Sequence, residues 1–239
     1  RSATYSCFNP LENYFTNPIR SIPKKYLAGE LLWYFTGDNS LETISKYSGF
    51  WSDIANPDGT LNSAYGNLIF NHRGACAYTQ WQWAYDSLAK DTDTRQAIMY
   101  FGGPEFQFPG VKDFVCTNNL QFFIRKNKLH LYTFMRSNDV IKGTTFDIPF
   151  FMLLQQQMWK LLKENVYPEL KLGKYVHTAT SLHVYEPDFE LAHTMLRNEF
   201  KSEPLPPIGD NLVDTDGNCL IDTTADTTDP LLSWIFNNS

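Results

Sequence analysis

The chain has 239 residues, of which 43% are hydrophobic, 19% charged and 15% aromatic, the composition of a globular protein that buries a sizeable core. Its net charge of −6 excludes nucleic-acid binding through general phosphate contacts, so an anionic ligand has to be met by local arginines. No apolar run approaches the roughly 20 residues that span a membrane.

Cys7, Cys76, Cys116 and Cys219 lie far apart without CxxC spacing. They read as reduced thiols of a cytosolic protein, with neither a disulfide framework nor a metal site. The first residues lack the charged-then-apolar pattern of a secretory leader.

Residues 1–20 read as an irregular or short-strand lead-in broken by Asn9-Pro10 and Asn17-Pro18 turns. Tyr26, Leu27, Leu31, Leu32 and Phe35 make a helical stripe over 22–36, with Pro23 tolerated in the first turn and Gly37 ending it. Asn39, with Glu42 three residues on, predicts the start of a second helix. Residues 56–63 form a turn-rich loop. Trp81 to Lys90 predicts a helix and Gln96 to Phe101 a buried strand. Leu120–Ile124 and Leu129–Met135 alternate around Arg125–Lys128, which predicts a β-hairpin. Ile148 to Lys163 predicts a long apolar helix with Pro149 near its start, and Val176 to Tyr185 another strand. After Glu203 the composition turns to Pro, Asp and Thr, a loop-rich tail apart from Leu231 to Phe236. Without repeats or a central linker, one α/β domain accounts for the whole.

Five places carry possible chemistry. Cys116 is either a small core residue or a reactive thiol, the latter if Arg136 on the neighbouring hairpin segment lowers its pKa. Arg136-Ser137 offers a forked donor and a hydroxyl, a good phosphate grip, although Arg136 and Arg95 also read as surface cations. Glu30 sits mid-helix among apolar residues, where burial raises a carboxyl's pKa and lets it move protons near neutrality. Asp147 precedes Ile148-Pro149 and a long helix, and its local sequence favours an N-cap over a site residue. His183 and Tyr185 alternate on a strand and face one side, a structural pair or part of a site.

Taken in order, these segments resemble the thymidylate synthase family from about Ser21 to Glu199. The run Glu30 to Asp38 is similar to the family's helix carrying the catalytic glutamate. Trp51 and Tyr65 lie in segments that resemble those of the folate-facing tryptophan and the active-site tyrosine. Arg95 resembles the phosphate arginine that reaches across the dimer. Cys116, Gln121, Arg136, Ser137, Asn138, Asp139 and Gly143 fall where the nucleophile, the nucleotide grip and the folate contacts are expected. His183 and Tyr185 match the pair on the sugar hydroxyl. The family's N-terminal phosphate loop is not recognisable; Arg1 is its remnant or the loop lies outside this chain.

Three positions depart from the synthase pattern. Asp147 replaces an asparagine, Thr117 a histidine, and Gln96 a second arginine. The aspartate and the threonine are shared with the phage deoxycytidylate hydroxymethylase branch.

The resemblance implies an α/β (α+β) thymidylate synthase-like fold, a mixed twisted sheet packed with helices whose free face is a homodimer interface. It implies one catalytic domain over 1–239, with 203–239 its loop-rich end, working in the cytoplasm on a nucleoside monophosphate rather than on nucleic acid or a membrane. The reaction implied is one-carbon transfer from 5,10-methylenetetrahydrofolate to pyrimidine C5 without a metal. Cys116, Glu30, Tyr65 and Asp147 are the implied catalytic residues. Arg95, Gln121, Arg136, Ser137, Asn138, Asp139, Asp147, His183 and Tyr185 hold the nucleotide, and Trp51, Asp139 and Gly143 the folate.

An aspartate at position 147 favours cytosine, whose N4 amino group donates where uracil O4 accepts. The expected product is then 5-hydroxymethyl-dCMP. Alternatives are dUMP methylation, the ribonucleotide CMP, direct dCMP methylation, and a nucleotide-binding protein without catalysis. Trp51 and the C-terminal segment are expected to govern water exclusion, which decides between hydroxymethyl and methyl products.

Overall fold

A computed structural model describes residues 1–12, 14–74, 77–199 and 201–239, so Cys76 lies outside the described residues. The elements are β1 (Ala3–Cys7), β2 (Tyr14–Thr16), α1 (Lys24–Phe35), α2 (Leu41–Ile44), α3 (Phe50–Ile54), α4 (Tyr65–Phe70), α5 (Gln80–Lys90), β3 (Ile98–Tyr100), β4 (Thr117–Arg125), β5 (Lys128–Asp139), α6 (Thr144–Asn165), β6 (Lys171–His183), α7 (Phe189–Leu196), β7 (Lys201–Glu203) and α8 (Pro230–Asn238).

The main sheet runs β1-β6-β5-β4-β3, and a small second sheet pairs β2 with β7. Only β5 and β6 are parallel, joined through α6 because parallel neighbours need a crossover. β4 and β5 meet at Lys126 and Asn127, both with positive φ of 53° and 55°, a two-residue turn whose twist matches the strands. Leu120, Phe122, Ile124, Leu129 and Leu131 face inward and are buried. Phe123, Tyr132, Phe134 and Tyr100 on the alternate positions stay half-buried or exposed.

α6 fills the middle of the core, with Phe150, Phe151, Leu153 and Leu154 fully buried. Three consecutive glutamines share that burial, and each donates through its amide: Gln155 to Leu129 O (2.9 Å), Gln156 to Pro10 O (2.9 Å) and Gln157 to Asn211 Oδ1 (2.8 Å). Their amides tie sheet, N-terminus and tail to one helix, since buried polar groups cost free energy unless bonded.

Several sequence expectations shift. The cap of α2 is Ser40, not Asn39; Ser40 Oγ accepts from Thr43 N–H. Pro23 is the N-cap of α1 rather than a first-turn residue, while Gly37 ends that helix at φ +71° as expected. The predicted strand over 96–101 shrinks to three edge residues, of which only Met99 is buried. α6 starts at Thr144, four residues early, so Pro149 lies in its second turn. The tail is irregular yet firmly packed: Leu205, Leu212, Val213, Leu231 and Ile235 are buried, and α8 lies on α1. Asp229 anchors it, with Oδ1 accepting from Leu232 N–H (2.7 Å) and Oδ2 from Asp210 N–H (2.6 Å). Among the described residues no helix is long and apolar enough to cross a membrane.

Candidate active site

A cavity of about 710 Å³ opens beside the C-terminal ends of β5 and β6, walled by α1, α3 and the start of α6. That volume lies in the range of small-molecule sites. It brings together Glu30, Trp51, Tyr65, Cys116, Arg136, Ser137, Asn138, Asp139, Gly143, Asp147, His183 and Tyr185, all singled out in the sequence.

Cys116 immediately precedes β4, where a register shift between Thr117 and Asn119 distorts the ladder, as bulges beside active sites do. Arg136 pairs with it across the sheet, its N–H donating to Cys116 O at 2.9 Å. The Arg136 guanidinium donates to Val115 O (2.9 Å) and Phe114 O, lies 4.6 Å over the Phe114 ring, and reaches Cys116 Sγ at 3.6 Å. The arginine therefore holds the thiol's own loop. Arg136 lowers the thiol pKa as expected, but the net shift is upward. Burial pushes Cys116 up more than Arg136 pulls it down, and Asp147 and Asp113 add to the rise.

Asp113, which the sequence reading passed over, locks that loop to the segment before α4. Its carboxylate accepts from Ser63 N–H (2.8 Å) and from the Ser63 hydroxyl. Gly66 lets α4 touch α1, because a Cβ there would lie 1.7 Å from Tyr34 O. Tyr65 consequently stacks on Tyr34 at 5.2 Å and is buried.

Glu30 is buried on α1, and burial raises its carboxyl from an ordinary 4.5 to about 8. Tyr26 OH donates to Glu30 Oε1 at 2.6 Å and accepts from Trp51 Nε1 at 3.1 Å. Tyr26 was missed as a functional residue. Its spacing of four from Glu30 on one helix face was the available signal.

Asp147 lies within α6, not at its cap. Its N–H donates to Gly143 O at 3.0 Å, and its carboxyl, recessed in the cavity wall, accepts from Asn138 Nδ2 at 2.7 Å. The capping reading is thereby excluded. Burial raises this carboxyl from 3.8 to about 7. Gly143 leaves room for Asn138, since a Cβ would stand 3.0 Å from its Nδ2.

Asp139 Oδ1 accepts from Ile141 N–H (2.7 Å) and Lys142 N–H, while its buried Oδ2 has no partner among the described residues. Trp51, Phe50, Tyr47 and Phe146 wall the same cavity. An unpartnered acceptor among aromatic walls fits a flat ring bearing amino groups. His183 and Tyr185 meet edge-to-face at 4.9 Å at the rim, although Tyr185 has left the strand.

Two expected residues stay outside. Arg95 is exposed and Gln121 spends its amide on Arg95 O at 2.7 Å; neither lines this chain's cavity. Nor does the C-terminal segment, for the lining ends at Tyr185. No group of three or more His, Cys, Asp or Glu suited to a metal occurs among the described residues.

The thymidylate synthase family model matches residues 12–219. The chain belongs to the thymidylate synthase family. Within it, the deoxycytidylate 5-hydroxymethyltransferases of enterobacteria phages T4 and T2 are each 31% identical over 173 residues, 70% of this chain and 69% of theirs. Among solved structures, thermostable thymidylate synthase A from Bacillus subtilis superposes with a TM-score of 0.68 at 21% identity, over 85% of this chain and 71% of that one. The mixed sheet packed with helices is this family's fold. The chain is a one-carbon transferase of the family.

Proposed function

We propose that this enzyme transfers a one-carbon unit to C5 of dCMP and adds water to give 5-hydroxymethyl-dCMP. One observation carries the reading: a recessed carboxyl, Asp147, faces the cavity from a helix it does not cap, and burial raises its pKa to about 7. With its proton on the oxygen facing N3, the acid donates to cytosine N3 and accepts from N4–H₂; uracil needs the proton on the other oxygen. The similarity to phage enzymes named for deoxycytidylate supports the same substrate.

Arg136 and Ser137 hold the 5′-phosphate, joined by Arg95 of a second subunit docked on the uncovered sheet face. His183 and Tyr185 take the sugar hydroxyl. The Cys116 thiolate forms a bond to C6, which makes C5 nucleophilic. 5,10-Methylenetetrahydrofolate, held by Trp51, Asp139 and Gly143, supplies the one-carbon unit. Glu30, with Tyr65 nearby, takes the C5 proton through water as tetrahydrofolate leaves, and aims a water at the exocyclic methylene that remains. The C6–S bond then breaks and returns the thiolate. The dimer works in the cytoplasm.

The test is Asp147→Asn assayed with dCMP and dUMP side by side, with products resolved by mass. Preference moving to dUMP supports the base-reading role; unchanged preference refutes it. Dihydrofolate formation, read by its near-ultraviolet absorbance, would identify methylation instead.

A further inference from the structure

Behind Asp147 runs a chain of buried polar side chains that reaches the carboxyl through Asn138. Asn138 Nδ2 donates to Asp147 Oδ2 at 2.7 Å. Asn138 Oδ1 accepts from Thr144 Oγ1 at 2.6 Å and meets His177 Nε2 at 3.1 Å. His177 Nδ1 meets Tyr175 OH at 2.7 Å, and the Tyr5 ring stacks on the imidazole at 5.2 Å with 6° between planes. His177 is 0% exposed, Tyr175 1% and Asn138 3%, so these links are shielded from bulk water.

The donor directions follow from this geometry. Burial holds His177 down to about 4, so the ring is neutral and carries one N–H. Turning the Asn138 amide would set its oxygen against Asp147 Oδ2, an acceptor whenever that oxygen carries no proton. Its oxygen therefore faces His177, and the ring N–H must sit on Nε2. Nδ1 is left to accept from the Tyr175 hydroxyl. Every link is a neutral donor. Lys and Arg form no ion pair with Asp147 among the described residues, so nothing there forces the carboxyl to stay ionised.

We propose that His177 and Asn138 are positioning residues for substrate choice: they fix Oδ2 of Asp147 as the accepting oxygen and leave Oδ1 as the one that carries the proton exchanged with the base. The proposal rests on the reading of Asp147 given above. Asn138, expected to touch the nucleotide, acts instead through Asp147.

Three variants test it. His177→Phe keeps a ring on Tyr5 but removes the Nε2 donor, and lowers the dCMP:dUMP ratio of kcat/KM about tenfold, the loss of one buried hydrogen bond. His177→Gln returns an N–H near the same place and restores most of the ratio. Placed on Asp147→Asn, His177→Phe no longer changes the ratio, because coupled residues are non-additive. Equal losses on both nucleotides, no rescue by Gln, or an unchanged effect in the Asp147→Asn background would each overturn the proposal. Should His177→Phe fail to fold, Asn138→Ala cuts the same chain one link closer: a lowered ratio supports the proposal and an unchanged one overturns it. If Asp147→Asn alone shifts preference while these variants do not, only the positioning role falls. If Asp147→Asn leaves preference unchanged, both readings fall.

Discussion

Glu30 and Asp147 line one cavity, both on helices and both raised by burial, to about 8 and about 7. They differ in what holds them. Glu30 leans on a hydroxyl, Tyr26, itself held by Trp51. Asp147 leans on an amide, Asn138, held by a neutral imidazole. A hydroxyl can rotate and relay a proton; an amide cannot lose one near neutral pH. Two carboxyls raised in the same direction thus serve as a proton carrier and a fixed template, and the partner decides which.

Cys116 serves both roles, so Cys116→Ala has the largest expected effect. Tritium release from C5-labelled dCMP should fall about a thousandfold or more; retained release would reveal another nucleophile. Glu30→Gln should lower kcat by roughly 10²–10⁴ and leave the dCMP:dUMP ratio where it was. Asp147→Asn should do the opposite, moving the ratio by about 10² or more while C5 exchange persists on the preferred base. If both variants moved both quantities alike, the division of labour would be wrong.

Tyr26→Phe is milder. It removes one hydrogen bond, roughly tenfold in kcat. The Tyr26 bond lowers the Glu30 pKa against the larger effect of burial, so its loss should move the Glu30 limb of the kcat–pH profile upward. A limb that stays in place would detach Tyr26 from Glu30.

The smallest effect is on stability. Both carboxyls have folded pKa values above their unfolded ones, 4.5 to about 8 and 3.8 to about 7. The folded chain keeps protons that the unfolded chain releases, so stability is full below about pH 4 and is lost as pH rises towards 8. Glu30→Gln cannot ionise. By calorimetry its Tm should gain on the parent between pH 5 and 8, by several degrees at roughly 2–4 °C per kcal/mol, and gain nothing at pH 4.

Local patterns made α1, α5, the β4–β5 hairpin and β6 legible, because periodicity and turn chemistry act over a few residues. The helix over 144–165 was legible too, but not its start. Pro149 suggested a beginning at 148, whereas the tertiary packing of Phe146 and the Gly143 turn pull four more residues into helix. That shift moves Asp147 from a cap to a cavity wall. The tail looked loose because its side chains show no period, yet Gln157 and Asp229 pin it.

Sequence alone therefore determined which residues could share one site, since their types and order survive any placement of the backbone. It also determined the family, through motifs spread over most of the chain. Only the tertiary structure decided how each group is charged and aimed. Burial outweighed Arg136 at Cys116, and it raised Glu30 and Asp147. Residues distant along the chain, Trp51 for Glu30 and His177 for Asp147, supplied the hydrogen bonds that no local pattern announces. Desolvation and hydrogen-bond direction depend on what surrounds an atom in space, and neighbours along the chain say little about that.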